Sequence, residues 1–360
     1  MSRLSKYYKI LWISPQIYWR NIFAKDIEIL YHSGVKKISN SFWVYTPEYF
    51  YPIVYNPKFI GKLSRKIMVY RIKGLLRRMG IKKTILYIWR PEYGSYINEF
   101  KHELLLYDIR DEYSFSDTVQ PISKEEESIL RNADVTFICS KKLIERKASL
   151  CKEYYFVPNG VDYTLYRDVI ENDKLKPLEL INIPEPKIGY VGQIKKQIDL
   201  DLILHIAKKR KDWSIVLVGP INKNHVEIKE KIHKLKNEKN VYFIGSKKPD
   251  ELPAYIANMD VCLMCYKKNS YTEQIYPLKL HEYLACGKPI IATNLESLKE
   301  FKEVLNFAEE PDDWIKKIDM ALKIRERALE QKRIHLASQN SWDARVELIR
   351  KIIDEKMSPI

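Results

Sequence analysis

The sequence lacks the features that mark several protein classes. No apolar run reaches the roughly 18 residues needed to cross a bilayer, so no membrane-spanning helix is expected. The N-terminus, Met1-Ser-Arg-Leu-Ser-Lys-Tyr-Tyr-Lys, runs straight into a strand-like Ile10-Leu-Trp-Ile-Ser14. It has no long apolar region and no small-residue cleavage site, so it does not read as a signal peptide. Cysteine is scarce, five in 360 residues without framework spacing, which excludes a disulfide scaffold and fits a reducing cytoplasm. Cys262-Leu-Met-Cys265 is formally C-x-x-C, but it lies in an apolar strand-like run with no second pair and reads as two core thiols. The loop from Ser14 to Asn21 has none of the glycines of a dinucleotide fingerprint, which argues against a dehydrogenase in this half.

What is present describes a globular protein: 46% hydrophobic and 30% charged residues over a length that predicts two domains. The formal net charge of +15 implies an anionic partner. Its densest source is Pro57 to Lys83, with ten Lys or Arg and no acid. Ile60, Leu63, Ile67, Met68, Ile72, Leu75, Leu76 and Met79 recur there at helical spacing. A basic amphipathic helix of this kind suggests contact with an anionic membrane surface, with Lys62, Arg65, Lys66, Arg77 and Arg78 on that face. A packed helix with a solvated basic face is the plainer alternative. No nucleic-acid motif accompanies the charge, so nucleic acid is not an expected partner.

Taken in order, the chain alternates strands and helices. Ile10–Ser14, a helix over Arg20–His32 ended by Gly34, and Phe42–Tyr45 give β-α-β order, which predicts a parallel, doubly wound α/β sheet. Ligands then sit at the C-terminal ends of strands. Leu104–Tyr107 leads into Asp108-Ile-Arg-Asp-Glu112 at such an end, and Asp111 is the general-base candidate there. Capping or pairing with Arg110 is its structural alternative. A charged, proline-punctuated stretch then precedes a second run of alternating strands and helices from Lys187, with a single helix expected over about Pro311–Arg333. The expected domains are residues 1–170, a linker at 171–186, a second domain at 187–340 and a final helix at 341–360.

Tyr276 to Thr293 reads as a short helix feeding a buried strand. Pro277 suits the first helical position and Gly287 the C-terminal cap, with Pro289 beyond. Lys279 and Glu282 share one face, Leu280 and Leu284 the other. A helix start attracts phosphate, Lys279 adds a mobile cation, and Glu282 offers acceptors for vicinal hydroxyls. An exposed ion pair is the bland alternative.

Gly189-Tyr-Val-Gly192, Val216-Leu-Val-Gly-Pro220, Val241-Tyr-Phe-Ile-Gly245 and Pro277-Leu-Lys-Leu-His-Glu-Tyr-Leu-Ala-Cys-Gly-Lys-Pro-Ile-Ile-Ala-Thr293 resemble the C-terminal half of group 1 glycosyltransferases of GT-B fold. Asp108-Ile-Arg-Asp-Glu112, Ala133-Asp-Val and Val157-Pro-Asn-Gly-Val-Asp162 resemble their N-terminal half, and Asn340-Ser-Trp-Asp343 the start of their C-terminal helix. Pro-Leu-Lys-x-x-Glu-Tyr is similar to bacterial enzymes of teichuronic acid and exopolysaccharide assembly. The resemblance implies two Rossmann-like domains facing a cleft, with the last helix crossing back to the first. It implies a donor site of Gly189, Gly192, Gln193, Gly219, Gln274, Pro277, Lys279 and Glu282, in which Lys279 contacts the diphosphate and Glu282 the ribose. Asp111 matches the base of related inverting members.

Two departures stand out. The family's second glutamate, eight residues before Glu282, is here Gln274, with Glu273 beside it. The phosphate clamp is replaced by Gly192-Gln193-Ile194, with Lys195 and Lys196 out of register. Both put a retaining course in question, and the residues leave retention and inversion open. The expected activity is metal-independent transfer from a UDP- or GDP-linked sugar, with no cofactor, to a glycan or lipid-linked acceptor. The expected place is the cytoplasmic face of the membrane. A nucleotide-sugar epimerase and a non-enzymatic basic scaffold are the alternatives.

Overall fold

A computed structural model describes residues 1–15, 33–48, 58–114, 120–171, 176–222, 226–324 and 326–358. The expected helix Arg20–His32 and most of the Ser14–Asn21 loop lie outside these residues. Strands β1 (Ile10–Ile13), β2 (Gly34–Ser39) and β3 (Phe42–Thr46) form a sheet in the order β1-β3-β2. β1 is parallel to β3, but β2 is antiparallel to it. The parallel pairing of β1 with β3 is the one that the β-α-β order predicts; β2 is an additional strand that the sequence does not announce, opened by Gly34 at φ +109°. Exposed Lys36 and Lys37 break any apolar pattern there, as suits an edge strand.

Helix α1 (Lys58–Arg78) forms where the basic amphipathic pattern lies. Met68 and Ile72 turn inward and join Tyr45 in a core cluster, with Leu11, Ile13 and Phe100 against it. Ile60, Leu63 and Tyr70 turn outward, 41%, 59% and 72% exposed. The helix thus divides its apolar residues between two faces.

β4 (Ile85–Ile88), β5 (Leu104–Ile109), β6 (Val135–Ile138) and β7 (Tyr154–Phe156) form a second sheet in that order. Helices α2 (Lys124–Asn132) and α3 (Lys141–Lys147) follow β5 and β6, and α4 (Tyr163–Glu171) and α5 (Leu178–Ile181) follow β7. β5 is buried along its whole length and runs two residues further than its apolar stretch, through Asp108 and Ile109.

The remaining elements are β8 (Lys187–Val191), α6 (Leu200–Lys209), β9 (Ser214–Val218), α7 (Val226–Lys236), β10 (Val241–Gly245), α8 (Leu252–Ala257), β11 (Val261–Met264), α9 (Leu278–Ala285), β12 (Ile290–Thr293), β13 (Asn306–Ala308), α10 (Pro311–Lys323), α11 (Arg327–Gln339) and α12 (Trp342–Met357). Their strands make one parallel sheet in the order β10-β9-β8-β11-β12-β13. β8, β9 and β11 are buried throughout, which their continuous apolar runs require. Cys262 and Cys265 lie in and just after β11, fully buried, with burial pushing both thiols up to about 12. They are core residues.

The strand order reverses between β8 and β11, and a doubly wound sheet binds ligands outside the carboxyl ends of the strands at that point. The expected helix Pro311–Arg333 is two helices, because Ile324 and Glu326 are extended. Arg333 of α11 is buried, and its guanidinium donates to the carbonyl of Val304 at 3.1 Å and of Gly287 at 3.4 Å.

The chain forms two compact units. One comprises Met1–Asp108, Lys124–Thr136 and Val346–Ile360; the other comprises Ile109–Ser123 and Phe137–Arg345. In the first unit the end of α12 is tied down by the Tyr8 hydroxyl, which donates to Asp354 at 2.5 Å. No helix among the described residues is long and apolar enough to cross a membrane.

Candidate active site

Helix α9 begins at the reversal point of the large sheet. Pro277 is its N-cap, one position earlier than the first helical residue. No side chain caps this end, so the first-turn N–H groups of Leu278 and Lys279 lie outside the helical ladder. The helix closes as its sequence directs: Gly287, at φ +68°, donates to the Leu284 carbonyl, and Lys288 to that of Tyr283. Leu280, Tyr283 and Leu284 are fully buried, each contributing about 1.5–3 kcal/mol of apolar burial. Tyr283 also accepts from the Val191 N–H at 2.9 Å, which fixes the end of β8 against the helix.

The residue after Val191 is Gly192, at φ +143°. A Cβ there would run into the amine of Lys279, and a Cβ on Gly219 into the Gly192 carbonyl. The two glycines therefore stack loop on loop beside the start of α9. Gly189 is not part of this arrangement. It sits inside β8, where a Cβ would strike the Met259 side chain. Gln193 is exposed, and its carbonyl accepts from the Tyr190 hydroxyl at 3.0 Å.

Lys279 and Glu282 are half-buried in the recess that results. The Lys279 amine stands 5.1 Å from the centre of the Tyr190 ring. Burial lowers its pKa, against the pull of Glu282, and Lys195 lowers it further. Burial raises the Glu282 carboxyl, with Lys279 and a hydrogen bond from the Tyr166 hydroxyl working the other way. Both groups are thus poorly solvated as ions and would gain from a ligand that supplies charge and hydrogen bonds.

Asp111 lies in the same compact unit. One of its oxygens accepts from the Glu112 N–H at 2.8 Å, the other from the Tyr271 hydroxyl at 3.0 Å. Burial raises its pKa, partly opposed by these two bonds and by Lys195. Lys195 therefore acts electrostatically on both Asp111 and Lys279. The neighbouring acids are otherwise engaged. Asp108, in β5, accepts from Tyr87 at 2.7 Å. Glu112 is fully buried, 3.1 Å from the equally buried Lys147 and 3.2 Å from Arg146. Replacing Glu112 by alanine strands a buried lysine and is expected to cost about 3–5 kcal/mol. Urea unfolding checks this, and a cost near zero would contradict it.

The loop that leads into α9 is held by two bonds from distant residues. Ser140, which also caps α3, donates to the Gln274 carbonyl at 2.6 Å, and Asn159 to that of Tyr276 at 2.7 Å. Gln274 is buried. Its amide nitrogen donates to the Ser270 carbonyl at 2.9 Å, while its Oε1 has no hydrogen-bond partner among the described residues. Glu273 accepts from the Glu296 N–H at 3.2 Å and lies 3.7 Å from Lys268. His281 packs behind the helix with Nε2 3.0 Å from the Tyr276 hydroxyl, and burial holds it neutral with a pKa near 3.

Tyr166, Tyr271 and Ser140 escape a reading of the sequence, and Asn159 is marked only as part of Val157-Pro-Asn-Gly-Val-Asp162, since each acts through a partner more than 100 positions away. Asp199 and Asp201 stand in an Asp-x-Asp spacing, which suggests a metal. However, Asp199 caps α6 through the Leu202 N–H, and Asp201 pairs with Lys231 at 2.7 Å. The membrane-face candidates lie in the other unit on α1, with Lys62, Lys66, Arg77 and Arg78 exposed and Arg65 half-buried.

The family model for Glycosyl transferases group 1 matches residues 171–334. The chain is 29% identical over 241 residues to TuaH of Bacillus subtilis (strain 168), named as a teichuronic acid biosynthesis glycosyltransferase. That match covers 64% of this chain and 59% of TuaH. Among solved structures, sucrose-phosphate synthase from Thermosynechococcus elongatus aligns with a TM-score of 0.68 at 17% identity, covering 96% of this chain and 98% of that one. The UDP-forming alpha,alpha-trehalose-phosphate synthase of Burkholderia vietnamiensis aligns at 0.67 and 11% identity, over 90% and 89% of the two chains. HepE of Anabaena, in complex with UDP, aligns at 0.63 and 15% identity, over 87% and 85%. At these identities the likeness is one of fold, GT-B.

Proposed function

We propose, from the match of residues 171–334 to the model for Glycosyl transferases group 1, that the chain moves a sugar from a nucleotide-sugar donor to a lipid-linked or polysaccharide acceptor in bacterial cell-surface glycan assembly. The observation that carries this is the recess formed by the uncapped start of α9, Lys279, Glu282 and the Gly192 turn. The donor diphosphate lies at the helix start, where backbone N–H groups and Lys279 meet it, with Lys195 as a second cation. The ribose hydroxyls bond to Glu282, which Tyr166 orients. These groups supply the positive charge themselves, so transfer proceeds without a metal. The UDP in the HepE structure supports a UDP-linked donor, and the name of TuaH supports a cell-envelope glycan acceptor.

In the reaction an acceptor oxygen bonds to the anomeric carbon as the bond from that carbon to the diphosphate oxygen breaks. The nucleoside diphosphate leaves with the electron pair. On an inverting course the acceptor proton passes to Asp111. A screen of UDP-, GDP- and dTDP-sugars by nucleotide release, with a glycan acceptor, tests the proposal. Release from at least one donor supports it. No release from any, or isomerisation of a donor without release, overturns it.

The outward face of α1 supports peripheral attachment to the inner face of the membrane. Ile60, Leu63 and Tyr70 form an exposed apolar strip beside Lys62, Lys66 and Arg77 on the same helix. The five free cysteines fit the cytoplasmic side. Each surface cation contributes about 1 kcal/mol on an anionic leaflet. Replacing Lys62, Lys66, Arg77 and Arg78 by glutamine is therefore expected to weaken co-sedimentation with phosphatidylserine-containing vesicles by about 10²–10³-fold. Unchanged co-sedimentation refutes this part.

A further inference from the structure

The turn after β5, which carries Asp111, and the loop that enters α9 are joined twice: once by the Tyr271 hydroxyl and once through helix α3. At the start of α3 the Ser140 hydroxyl accepts from the Leu143 N–H at 3.2 Å and donates to the Gln274 carbonyl at 2.6 Å. At its end stand Arg146 and Lys147, which meet Glu112, the residue after Asp111. The Lys147 amine lies 3.1 Å from Glu112 Oε1, and the Arg146 Nε 3.2 Å from Oε2.

Glu112 in turn fixes its neighbours. Its backbone N–H donates to Asp111 Oδ1 at 2.8 Å, and its Oε1 accepts from the Ser114 N–H at 2.8 Å. Arg146 also donates to the Gln120 carbonyl, and the Gln120 N–H to the Ser114 carbonyl at 3.0 Å. The other Asp111 oxygen accepts from the Tyr271 hydroxyl at 3.0 Å, and the Tyr271 carbonyl accepts from the Gln274 N–H at 3.0 Å. These contacts close a ring: Asp111, Tyr271, Gln274, Ser140, α3, Lys147, Glu112 and Asp111 again. All of it lies in the second compact unit.

Stability alone does not account for the ion pair in this ring. The side chains of Lys147 and Glu112 are both fully buried. Desolvation of two such ions roughly cancels their attraction, and apolar residues of similar volume often serve as well or better. A hydrogen-bonded charge pair adds direction, which an apolar contact lacks. With Lys147 and the Ser114 N–H both on Oε1, the Glu112 side chain has one orientation, and the N–H it offers to Asp111 keeps its aim. Catalysis depends on such aim, since a displacement of about 1 Å costs about 10²-fold in rate.

We infer that Ser140, Glu112 and Lys147 are positioning residues, and that α3 is a strut which holds the Asp111 carboxylate in register with the loop entering α9. The role of Asp111 as base rests on the proposed sugar transfer; the holding of its carboxylate by α3 does not.

The test uses the full chain, with nucleotide release, UDP binding and an NMR titration of ¹³C-labelled aspartate carboxylates. Loss of a signal in Asp111→Asn assigns Asp111. The double variant Glu112→Gln, Lys147→Met removes both charges at nearly constant volume. It is expected to melt close to the wild type and to bind UDP as the wild type does, while kcat falls about 10²-fold. Burial is the largest influence on Asp111 and raises its pKa; the Glu112 N–H, Tyr271 and Lys195 lower it, and the Glu112 charge raises it. A carboxylate released to water therefore titrates lower, nearer the ordinary value of about 3.9. Loss of the Glu112 charge alone acts in the same direction. Ser140→Gly separates the two causes: it cuts the other end of the strut, leaves every charge in place and keeps an acceptable helix cap. The Asp111 titration should move down in this variant too. Tyr271→Phe releases the same carboxylate, so its loss in kcat and that of the double variant should combine to less than their product. Should Ser140→Gly melt early, the double variant and its cycle with Tyr271→Phe decide, and a full product of the two losses overturns the inference. An Asp111 titration that stays in place in folded Ser140→Gly also overturns it. A titration that moves while Asp111→Asn keeps its kcat retains the strut and removes Asp111 as base. A titration that moves in a protein releasing no nucleotide from any donor retains the strut and overturns the sugar transfer.

Discussion

Lys279→Ala is expected to lower kcat by about 10²–10³-fold, the effect of removing one preorganised donor from a developing negative charge. The site geometry makes the loss large. The amine sits in a recess formed by the Gly192 turn and the face of Tyr190, and burial already weakens its hold on its proton. As the sugar–phosphate bond breaks, charge builds on the diphosphate where Lys279 and the first N–H groups of α9 converge. Few other cations are placed to replace it; Lys195 acts on the same site from a distance. The melting temperature should change little, because Lys279 is half-exposed and Glu282 keeps its hydrogen bond from Tyr166. Steady-state kinetics and a thermal melt check both halves. A normal kcat with a normal melt removes Lys279 from the chemistry.

The second large effect is at Asp111. Asp111→Asn is expected to lower kcat by about 10²–10⁴-fold on an inverting course, with donor affinity retained. The pH profile gives the sign. A base must be ionised, so activity falls as the pH drops through its pKa. Burial raises that pKa, so the acid limb should lie above the ordinary aspartate range of about 3.9. The Tyr271 hydroxyl bonds to the ionised form and opposes the rise. Tyr271→Phe should therefore move the acid limb to higher pH. A limb that stays put in Tyr271→Phe, or persists in Asp111→Asn, assigns it to another group.

The second half of the fold was legible because its strands are continuous apolar runs of the length that parallel sheets bury. Turn glycines and a clear helix stop at Gly287 punctuate them. The placement of Lys279 and Glu282 on one face followed from helical spacing, and Gly192 lies beside them. Other features were not legible, for separate physical reasons. β2 carries its lysines to solvent as an edge strand, so no apolar alternation marks it. In α1, spacing reveals eight apolar positions but not that Met68 and Ile72 enter the core while Ile60 and Leu63 face out. The break between α10 and α11, at the extended Ile324 and Glu326, has no glycine or proline to announce it. Around the site, the hydroxyls of Tyr271 and Ser140 meet partners 160 and 134 positions away. Contacts at that range arise from tertiary packing, and local pattern does not encode them.

Whether the start of α9 holds the donor is decided by a crystal structure of the full chain with UDP or GDP. Diphosphate oxygens are expected within about 3 Å of the Lys279 amine and the first N–H groups of α9, with the ribose hydroxyls on Glu282. A nucleotide bound elsewhere, or bound here with its diphosphate turned away from α9, contradicts this placement.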